Sequence, residues 1–462
     1  MLTSTAFGLG GRFAVLGLGL VSIAITTRYL GTAGYGRFSL ALSFVQLFAV
    51  VADAGLTTIV VRELAQRPER ASSLLGSALA LRSGLAVAAA TLAGLTSLAM
   101  PYPPEVRVAV LIAIVPLTLG LLNSTFVALL QSDLRAGRVA IADVSGRAAS
   151  LAAVAVVIVL DLGFYAVVGA AGVGAAVTLV LTTLLARPLL PDRPRADRAT
   201  SRGLMKAALP LGAAIALNEA YFRADALIIS VTRSFEELGI YALAWRVGEL
   251  TGTFPAVFLI AVFPVLSRMV AVADPRMREA LHAAGDVFVL VGVAVAAGGF
   301  AVAGELARTL GGGEFAAAAA PMRILLAAAA IGFINGLYGH ALIARNRQFA
   351  ALWLNVVALT LNVALNLLLV PPYGILAAAW TALGCELAIL AGSFWLLRRH
   401  LDYVPSFAAL TKAVPAALAM IAAVWPLRDQ PLVLSVPVGA LVYALVVVAL
   451  GGVDRERLRE LR

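Results

Sequence analysis

The sequence predicts an all-α polytopic membrane protein with about fourteen transmembrane helices, and three observations support this fold class. Apolar residues make up 61% of the 462 residues and charged residues only 13%, about half the charged share of a soluble domain. The apolar residues are grouped in stretches of about 20, the length that crosses the hydrocarbon core of a bilayer. The segments between these stretches are alternately rich and poor in Lys and Arg, as the positive-inside rule requires.

Fourteen apolar stretches are separated by turn residues or by clusters of charge. They fall near residues 7–27, 38–60, 74–100, 108–130, 140–160, 164–186, 207–231, 240–264, 286–307, 321–344, 351–370, 374–397, 406–425 and 432–452. The connections between them are too short for a folded domain. The longest, residues 187–206, is rich in Pro and Arg and predicts a cytoplasmic linker between the first six spans and the eight that follow.

The basic residues orient these spans. With a cytoplasmic N-terminus, 24 of the 35 Lys and Arg residues fall in inside segments, six in outside segments and five within spans. The C-terminus is then cytoplasmic as well. Because the net charge of +10 is explained by orientation in the membrane, we expect membrane lipids as partners and no nucleic acid.

The two halves of the chain contain an internal repeat. The segment from Gly36 to Leu47 aligns with that from Gly239 to Leu250 at a constant offset of 203, and Gly, an aromatic residue, Leu and Ala coincide. The six intervening spans preserve direction, so the repeat is parallel. We predict a six-helix lobe with its linker over residues 1–205, a second six-helix lobe over 206–400, and two additional helices with a basic tail over 401–462. Repeated lobes with a site between them are a common plan of transporters.

Nine ionisable side chains lie well inside the predicted spans. They are Arg12, Asp53, Arg82, Glu219, Arg223, Asp225, Arg246, Glu249 and Glu386. Facing lipid, nine such groups would cost roughly 20–30 kcal/mol, which exceeds the stability of a typical protein. We therefore expect them to face a watery cavity or one another.

Two interpretations of these charges remain open. Glu219 precedes Arg223 by four residues and Arg246 precedes Glu249 by three, so each pair could be a neutralised contact within one helix. Arg12, Asp53 and Arg82 have no partner in their own helix and are expected to pair with another helix or with a ligand. For Glu386 the structural interpretation is favoured.

The functional interpretation is a cavity for an anion. Guanidinium groups match phosphate oxygens in a bidentate way, and carboxylates beside them could bind a coupling proton or sodium ion. The predicted anion contacts are Arg12, Arg82, Arg223 and Arg246. The predicted coupling or structural carboxylates are Asp53, Glu219, Asp225 and Glu249.

Other chemistry lacks support in the sequence. There is no G-x-x-x-x-G-K-[ST] loop for ATP hydrolysis, and the three histidines, His282, His340 and His400, are far apart and unsuited to a metal site. No nucleophile and base stand out as a pair. We expect no cofactor, no metal and no enzymatic activity.

Several segments resemble one known family. Arg28-Tyr-Leu-Gly31, Gly34-Tyr-Gly-Arg-Phe38, Asp53-Ala-Gly-Leu56 and Arg62-Glu63 resemble the N-terminal signature of the polysaccharide flippases of the multidrug/oligosaccharidyl-lipid/polysaccharide exporter superfamily. The stretch from Asn362 to Pro371 followed by Tyr373-Gly-Ile375 is similar to the asparagine–leucine–proline–glycine stretch of that family. Leu376 departs from the pattern, which has a further Gly there.

The resemblance implies an inner-membrane flippase with two six-helix lobes and two extra helices. Such proteins move undecaprenyl-diphosphate-linked oligosaccharides across the bacterial inner membrane by alternating access, for cell-surface polysaccharide biosynthesis. The pyrophosphate would enter a polar cavity, which is where the four arginines are predicted to act. The partners it implies are the lipid-linked glycan, polysaccharide polymerases and glycosyltransferases.

Three alternatives are weighed against this one. A cation-coupled multidrug exporter of the same superfamily predicts a cavity dominated by carboxylates, whereas charges of both signs inside the spans are nearly balanced here. A peptidoglycan-precursor flippase shares the fold. A membrane polymerase or ligase would need a sizeable outside loop, and the longest connection here is predicted to be cytoplasmic.

Overall fold

The computed structural model describes residues 2–190, 194–272, 276–345, 347–401, 403–406, 408–427 and 430–452, with the side chains of residues 2–13, 261 and 271 excepted. No strand occurs in these ranges. The α-helices are α1 (Leu2–Asp53), α2 (Leu56–Gln66), α3 (Ala71–Ala99), α4 (Pro104–Ser132), α5 (Ala136–Val159), α6 (Phe164–Ala186), α7 (Arg198–Thr232), α8 (Phe235–Thr251), α9 (Thr253–Ala271), α10 (Met277–Gly311), α11 (Ala319–Ala344), α12 (Gln348–Tyr373), α13 (Ile375–Leu401), α14 (Ala408–Val424) and α15 (Leu432–Ala449).

The helices confirm the predicted fold class. Within the described residues, 12 helical stretches are long and apolar enough to cross a membrane. The first, Ala14–Gln66, has 53 residues and would be about 80 Å long if straight. It therefore contains two of the predicted spans. Helix α7 has 35 residues but carries six charged side chains and is not among the 12. Counting two spans in the first stretch and adding α7 to the 12 gives fourteen spans, as predicted.

Helix α1 is interrupted where glycine permits it. Gly31 has φ 65° and ψ −177°, which divides α1 into two segments. The helix then ends at Asp53, and the following Ala54 and Gly55 have φ of 46° and 74°. A positive φ costs glycine little but strains most other residues, so the Asp53-Ala-Gly-Leu56 motif encodes the break between α1 and α2.

Contacts between Cα atoms divide the chain into two compact units, Met1–Gly239 and Ile240–Arg462. In the first unit, α7 packs against α1, α2 and α3, so it is grouped with the helices that precede it. The lobes predicted from the repeat, with a boundary at residue 205, remain a prediction. The basic tail predicted at residues 453–462 lies outside the described residues.

Each unit has its own apolar core. In the first unit, buried leucines of α2 and α3 meet α4 and α7, with Leu56, Leu75, Leu130 and Leu204 at most 3% exposed. In the second unit, one core lies among α9, α10, α11 and α13. A smaller core joins α10 to the two C-terminal helices α14 and α15.

The predicted linker is bound to α3 where it enters α7. The amide of Arg195 donates to the Ser72 carbonyl at 3.1 Å, and Ser77 Oγ both donates to the Asp197 carbonyl and accepts from the Asp197 amide. The Asp197 carboxylate caps α7 through the amides of Ala199 and Thr200. The Thr200 hydroxyl also donates a hydrogen bond to this carboxylate, and this bond is the main reason why the pKa of Asp197 is lowered.

Candidate functional site

Four groups among the described residues contain charged side chains that lie inside the predicted spans. The first joins four helices of the first unit, α1 to α4, around Arg82. The second is an ion pair on α7, and the third is an ion pair on α8. The fourth joins α11 and α13 in the second unit.

Arg82 lies in a buried hydrogen-bonded group. Its side chain is 0% exposed, and Nη2 lies 3.2 Å from Asp53 Oδ1. Nη2 also donates to Thr57 Oγ1 at 2.8 Å, and Nη1 donates to Thr125 Oγ1 at 2.9 Å. The Thr57 hydroxyl donates to Asp53 Oδ1 at 2.7 Å. Arg82 and Asp53 therefore find partners across helices, as the absence of a partner within their own helices predicted.

This group holds together the break after α1. Asp53 is the last residue of α1, Thr57 lies in the first turn of α2, Arg82 is on α3 and Thr125 is on α4. Removing one partner from a buried ion pair leaves an uncompensated charge in a low-dielectric site. In this structure the contacts of Arg82 are internal ones, and its predicted role in binding an anion stays a prediction.

Glu219 and Arg223 form an ion pair near the middle of α7. Arg223 Nε lies 2.8 Å from Glu219 Oε1, and the side chains are 15% and 17% exposed. Glu219 lies 13 residues before Thr232, the end of the helix, which corresponds to about 20 Å along its axis. Asp225, on the same helix, is only 2% exposed.

Arg246 and Glu249 form a more open pair on α8. Arg246 Nη1 lies 2.6 Å from Glu249 Oε2, and the side chains are 41% and 40% exposed. Both ion pairs predicted from spacing are therefore present. The fourth predicted anion contact, Arg12, has a side chain outside the described residues.

Glu386 is bonded to a residue that the charge pattern did not single out. Asn335 Nδ2 donates to Glu386 Oε2 at 2.7 Å and to its carbonyl oxygen at 2.9 Å. A Cβ on Gly332 would lie 3.4 Å from Glu386 Oε2, an ordinary van der Waals distance, so α11 passes close to Glu386 at this residue. This arrangement agrees with the structural interpretation of Glu386.

Sequence reasoning also missed the threonines that complete the Arg82 group. Thr57 stands four residues after Asp53, a spacing that places two side chains on one helix face, so it could have been found from the sequence. Thr125 is 43 residues from Arg82, and only tertiary structure brings the two together. Among the described residues, no cluster of three or more His, Cys, Asp or Glu could hold a metal ion.

The chain matches a family model described as "Polysaccharide biosynthesis protein" over residues 2–270. The match covers more than half of the chain, and the chain belongs to this family of membrane proteins. This confirms the resemblance inferred from the motifs.

Among named relatives, the probable flippase AglR of Haloferax volcanii (strain DS2) is 26% identical over 258 residues. That alignment covers 51% of this chain and 52% of the relative, so the chain matches about half the length of AglR.

Solved structures show the same fold. The lipid II flippase MurJ in an inward closed conformation aligns with a TM-score of 0.79 and 12% identity, covering 96% of this chain and 98% of that one. An inward-facing multidrug resistance MATE transporter aligns with a TM-score of 0.67 and 15% identity, covering 85% of this chain and 98% of the transporter. The Vibrio cholerae MATE transporter VcmN aligns with a TM-score of 0.57 and 15% identity, covering 86% of this chain and 96% of VcmN. These structures share the fold, and the proteins are named as a lipid II flippase and multidrug transporters.

Proposed function

We propose that this protein is a flippase that carries a lipid-diphosphate-linked oligosaccharide across a cell membrane by alternating access, for the synthesis of surface polysaccharide. The observation that carries the proposal is the partly exposed Glu219–Arg223 pair near the middle of α7. It is supported by membership of the polysaccharide biosynthesis family and by the similarity to the probable flippase AglR.

The pair is suited to an exchange of partners. A charged side chain at the bilayer centre costs ~2.5–3.5 kcal/mol, so the exposed part of the pair is expected to face water and not lipid. Glu219 neutralises Arg223 while the site is empty. A diphosphate can replace the carboxylate, because guanidinium groups bind phosphate oxygens in a bidentate way. The released Glu219 is then free to accept a coupling proton or sodium ion.

Arg246 and Glu249 offer the same chemistry on α8. Their larger exposure of about two fifths means that less desolvation is needed before a phosphate can replace the carboxylate. We infer that Arg223 and Arg246 are the better candidates for diphosphate contacts, and that Arg82 with Asp53 acts mainly in packing.

The sharpest test compares two lipids that differ only in the head group. We expect purified protein to bind undecaprenyl diphosphate more tightly than the neutral undecaprenol, as measured by native mass spectrometry. Arg223→Ala should weaken diphosphate binding by about tenfold or more, the size of one charge-assisted contact. Arg308→Ala is the matched control, because Arg308 pairs with Glu305 on α10 in the same way but stands in the last turn of its helix.

In cells, the gene should restore surface polysaccharide to a strain that lacks its own flippase, and Arg223→Ala should lose this rescue at normal protein abundance. Equal binding of the two lipids, together with full rescue by Arg223→Ala, would contradict the proposal. Location in the bacterial inner membrane, with both termini cytoplasmic and with glycosyltransferases or a polysaccharide polymerase as partners, belongs to the same proposal.

A second candidate function is transport of a peptidoglycan precursor, for which the overall likeness to MurJ across almost the whole of both chains is the supporting observation. Such a function would be seen as rescue of a strain depleted of its own lipid II flippase. A cation-coupled drug exporter, suggested by the MATE structures, would instead confer drug resistance on expression.

A further inference from the structure

Arg323 is an arginine of the second unit that forms no ion pair with any described residue. It lies in the second turn of α11, near the outer end of a predicted span. The ion pairs on α7, α8 and α10 are each formed within one helix, whereas Arg323 contacts a neighbouring helix through groups that carry no charge. Its positive charge is therefore left for an anion from outside the described residues.

Two contacts with α10 hold the guanidinium of Arg323 in place. Nε donates to the Phe300 carbonyl oxygen at 3.1 Å, and Cζ lies 5.3 Å from the centre of the Phe300 ring. Nη1 and Nη2 donate to no described residue. The outer edge of the guanidinium thus presents two parallel donors, the arrangement that binds two oxygens of one phosphate.

The surface beside this edge is open. Phe300 is 50% exposed. Gly304 stands one helical turn after Phe300 on the same face of α10, and a Cβ there would meet nothing within 4 Å. Ala320, on the preceding turn of α11, is exposed as well. These small residues leave space beside the guanidinium for a group of the size of a phosphate.

The depth of Arg323 in the membrane suits the phosphate of a lipid. Glu305 and Arg308 form an ion pair on α10 that is 22% and 50% exposed. They stand five and eight residues beyond Phe300, about 8–12 Å along the helix axis. Since the headgroup region on each side of a bilayer is roughly 5–8 Å thick, the guanidinium lies near the boundary between headgroups and hydrocarbon. Long basic side chains reach polar groups at this boundary.

We propose that Arg323 binds the phosphate group of a lipid on the surface of the second unit, with Phe300 holding the guanidinium in position. The basic-residue pattern places the connection between α10 and α11 outside, so the lipid belongs to the outer leaflet. The phosphate can come from a phospholipid of the bilayer or from a diphosphate-linked lipid, because the recognition chemistry is the same. The inference goes beyond the proposed function, since a phospholipid would be bound even if the protein carried another substrate.

The test compares a phosphate lipid with a neutral lipid of the same tail by native mass spectrometry of the purified protein. The first comparison is phosphatidylglycerol with diacylglycerol. The second is undecaprenyl diphosphate with undecaprenol, in an Arg223→Ala, Arg246→Ala background that removes the diphosphate contacts proposed on α7 and α8. Arg323→Ala should lower the preference for the phosphate lipid by about tenfold in at least one comparison, the size of one charge-assisted contact. Arg323→Lys keeps the charge without the fork, so it should lower this preference by about threefold.

Arg308→Ala is the matched control, because Arg308 lies toward the same end of α10 but is paired with Glu305. It should leave both preferences unchanged. Phe300→Leu keeps the carbonyl acceptor and removes the ring, so it should lower the preference by about threefold. This variant keeps the test valid if Arg323→Ala fails to fold, which its unfolding temperature in detergent will show.

The two comparisons identify the source of the phosphate. A loss with phosphatidylglycerol assigns the site to a phospholipid of the bilayer, and a loss with undecaprenyl diphosphate assigns it to a carried lipid. Unchanged preferences in folded Arg323→Ala, or in Phe300→Leu where Arg323→Ala does not fold, would overturn the proposal. Equal weakening of phosphate and neutral lipids would also overturn it, because this result would indicate lost packing and not lost phosphate recognition.

These outcomes are separate from those of the proposed function. If Arg223→Ala binds undecaprenyl diphosphate as the wild-type protein does, the proposed diphosphate contact on α7 is contradicted, while the phosphatidylglycerol comparison still decides the role of Arg323. If Arg323→Ala changes neither comparison, the Arg323 site is removed and the proposed function is untouched.

Discussion

At the scale of single residues, burial separates the arginines that the sequence treated alike. Arg82 is 0% exposed and bonded to Asp53, Thr57 and Thr125, whereas Arg223 and Arg246 are 15% and 41% exposed. The side chains of Arg223 and Arg246 are therefore more open to a ligand than that of Arg82. To reach Arg82 it would have to replace three partners in a closed site, which is far more costly.

Arg82→Ala is therefore expected to reduce stability before it affects recognition of a substrate. It removes the cation that pairs with the Asp53 carboxylate, which keeps only the Thr57 hydroxyl as a described donor, and it removes the donor to the Thr125 hydroxyl. The loss should be about 2–3 kcal/mol. The measurement is the thermal unfolding temperature of the purified protein in detergent. Arg62→Ala is the control, because Arg62 is 51% exposed and its ion pair with Glu63 should contribute little. A stable Arg82→Ala protein that has lost diphosphate binding would instead place Arg82 in the anion site.

At the scale of helices, the break between α1 and α2 is held against α7 by close backbone contact. A Cβ on Gly212 of α7 would lie 2.3 Å from the Ala54 carbonyl carbon. A Cβ on Gly55 would in turn lie 3.0 Å from the Gly212 amide nitrogen. The break therefore depends on glycine in both helices, at Gly55 for a positive φ and at Gly212 for space.

Gly212→Ala should destabilise the protein by about 1–3 kcal/mol, because α7 must move away from the break to admit the methyl group. Gly203→Ala on the same helix is the matched control, since a Cβ there would meet nothing within 4 Å, and it should be neutral or slightly stabilising. Unfolding temperatures of the two variants measure the difference. Equal temperatures would show that the backbone at Ala54 yields easily.

At the scale of the whole molecule, the orientation of the helices can be tested directly. In a Cys385→Ala background, which lacks the sole native cysteine, Gln131→Cys at the end of α4 is expected to face the cytoplasm, and Leu160→Cys after α5 is expected to face outside. An impermeant maleimide should label Leu160→Cys in intact cells, and should label Gln131→Cys only after permeabilisation. The reverse pattern would invert the orientation derived from the basic residues.

Much of the fold could be predicted because the bilayer limits the structures that a membrane-spanning segment can adopt. A segment in lipid must satisfy its own backbone hydrogen bonds, so a stretch of about 20 apolar residues has almost no alternative to a helix. The ion pairs Glu219–Arg223 and Arg246–Glu249 could also be predicted from the sequence, because a spacing of four or three residues places both side chains of a pair on one helix face.

The sequence by itself determined the fold class, the ion pairs within single helices and the membership of a flippase-like family. These depend on local periodicity, composition and short motifs. Only the tertiary structure decided that Arg82 is enclosed by Asp53, Thr57 and Thr125. It alone brought Gly36 and Gly239, 203 residues apart, into contact. Burial and contacts between distant helices depend on how helices pack, and no pattern along one helix encodes that packing.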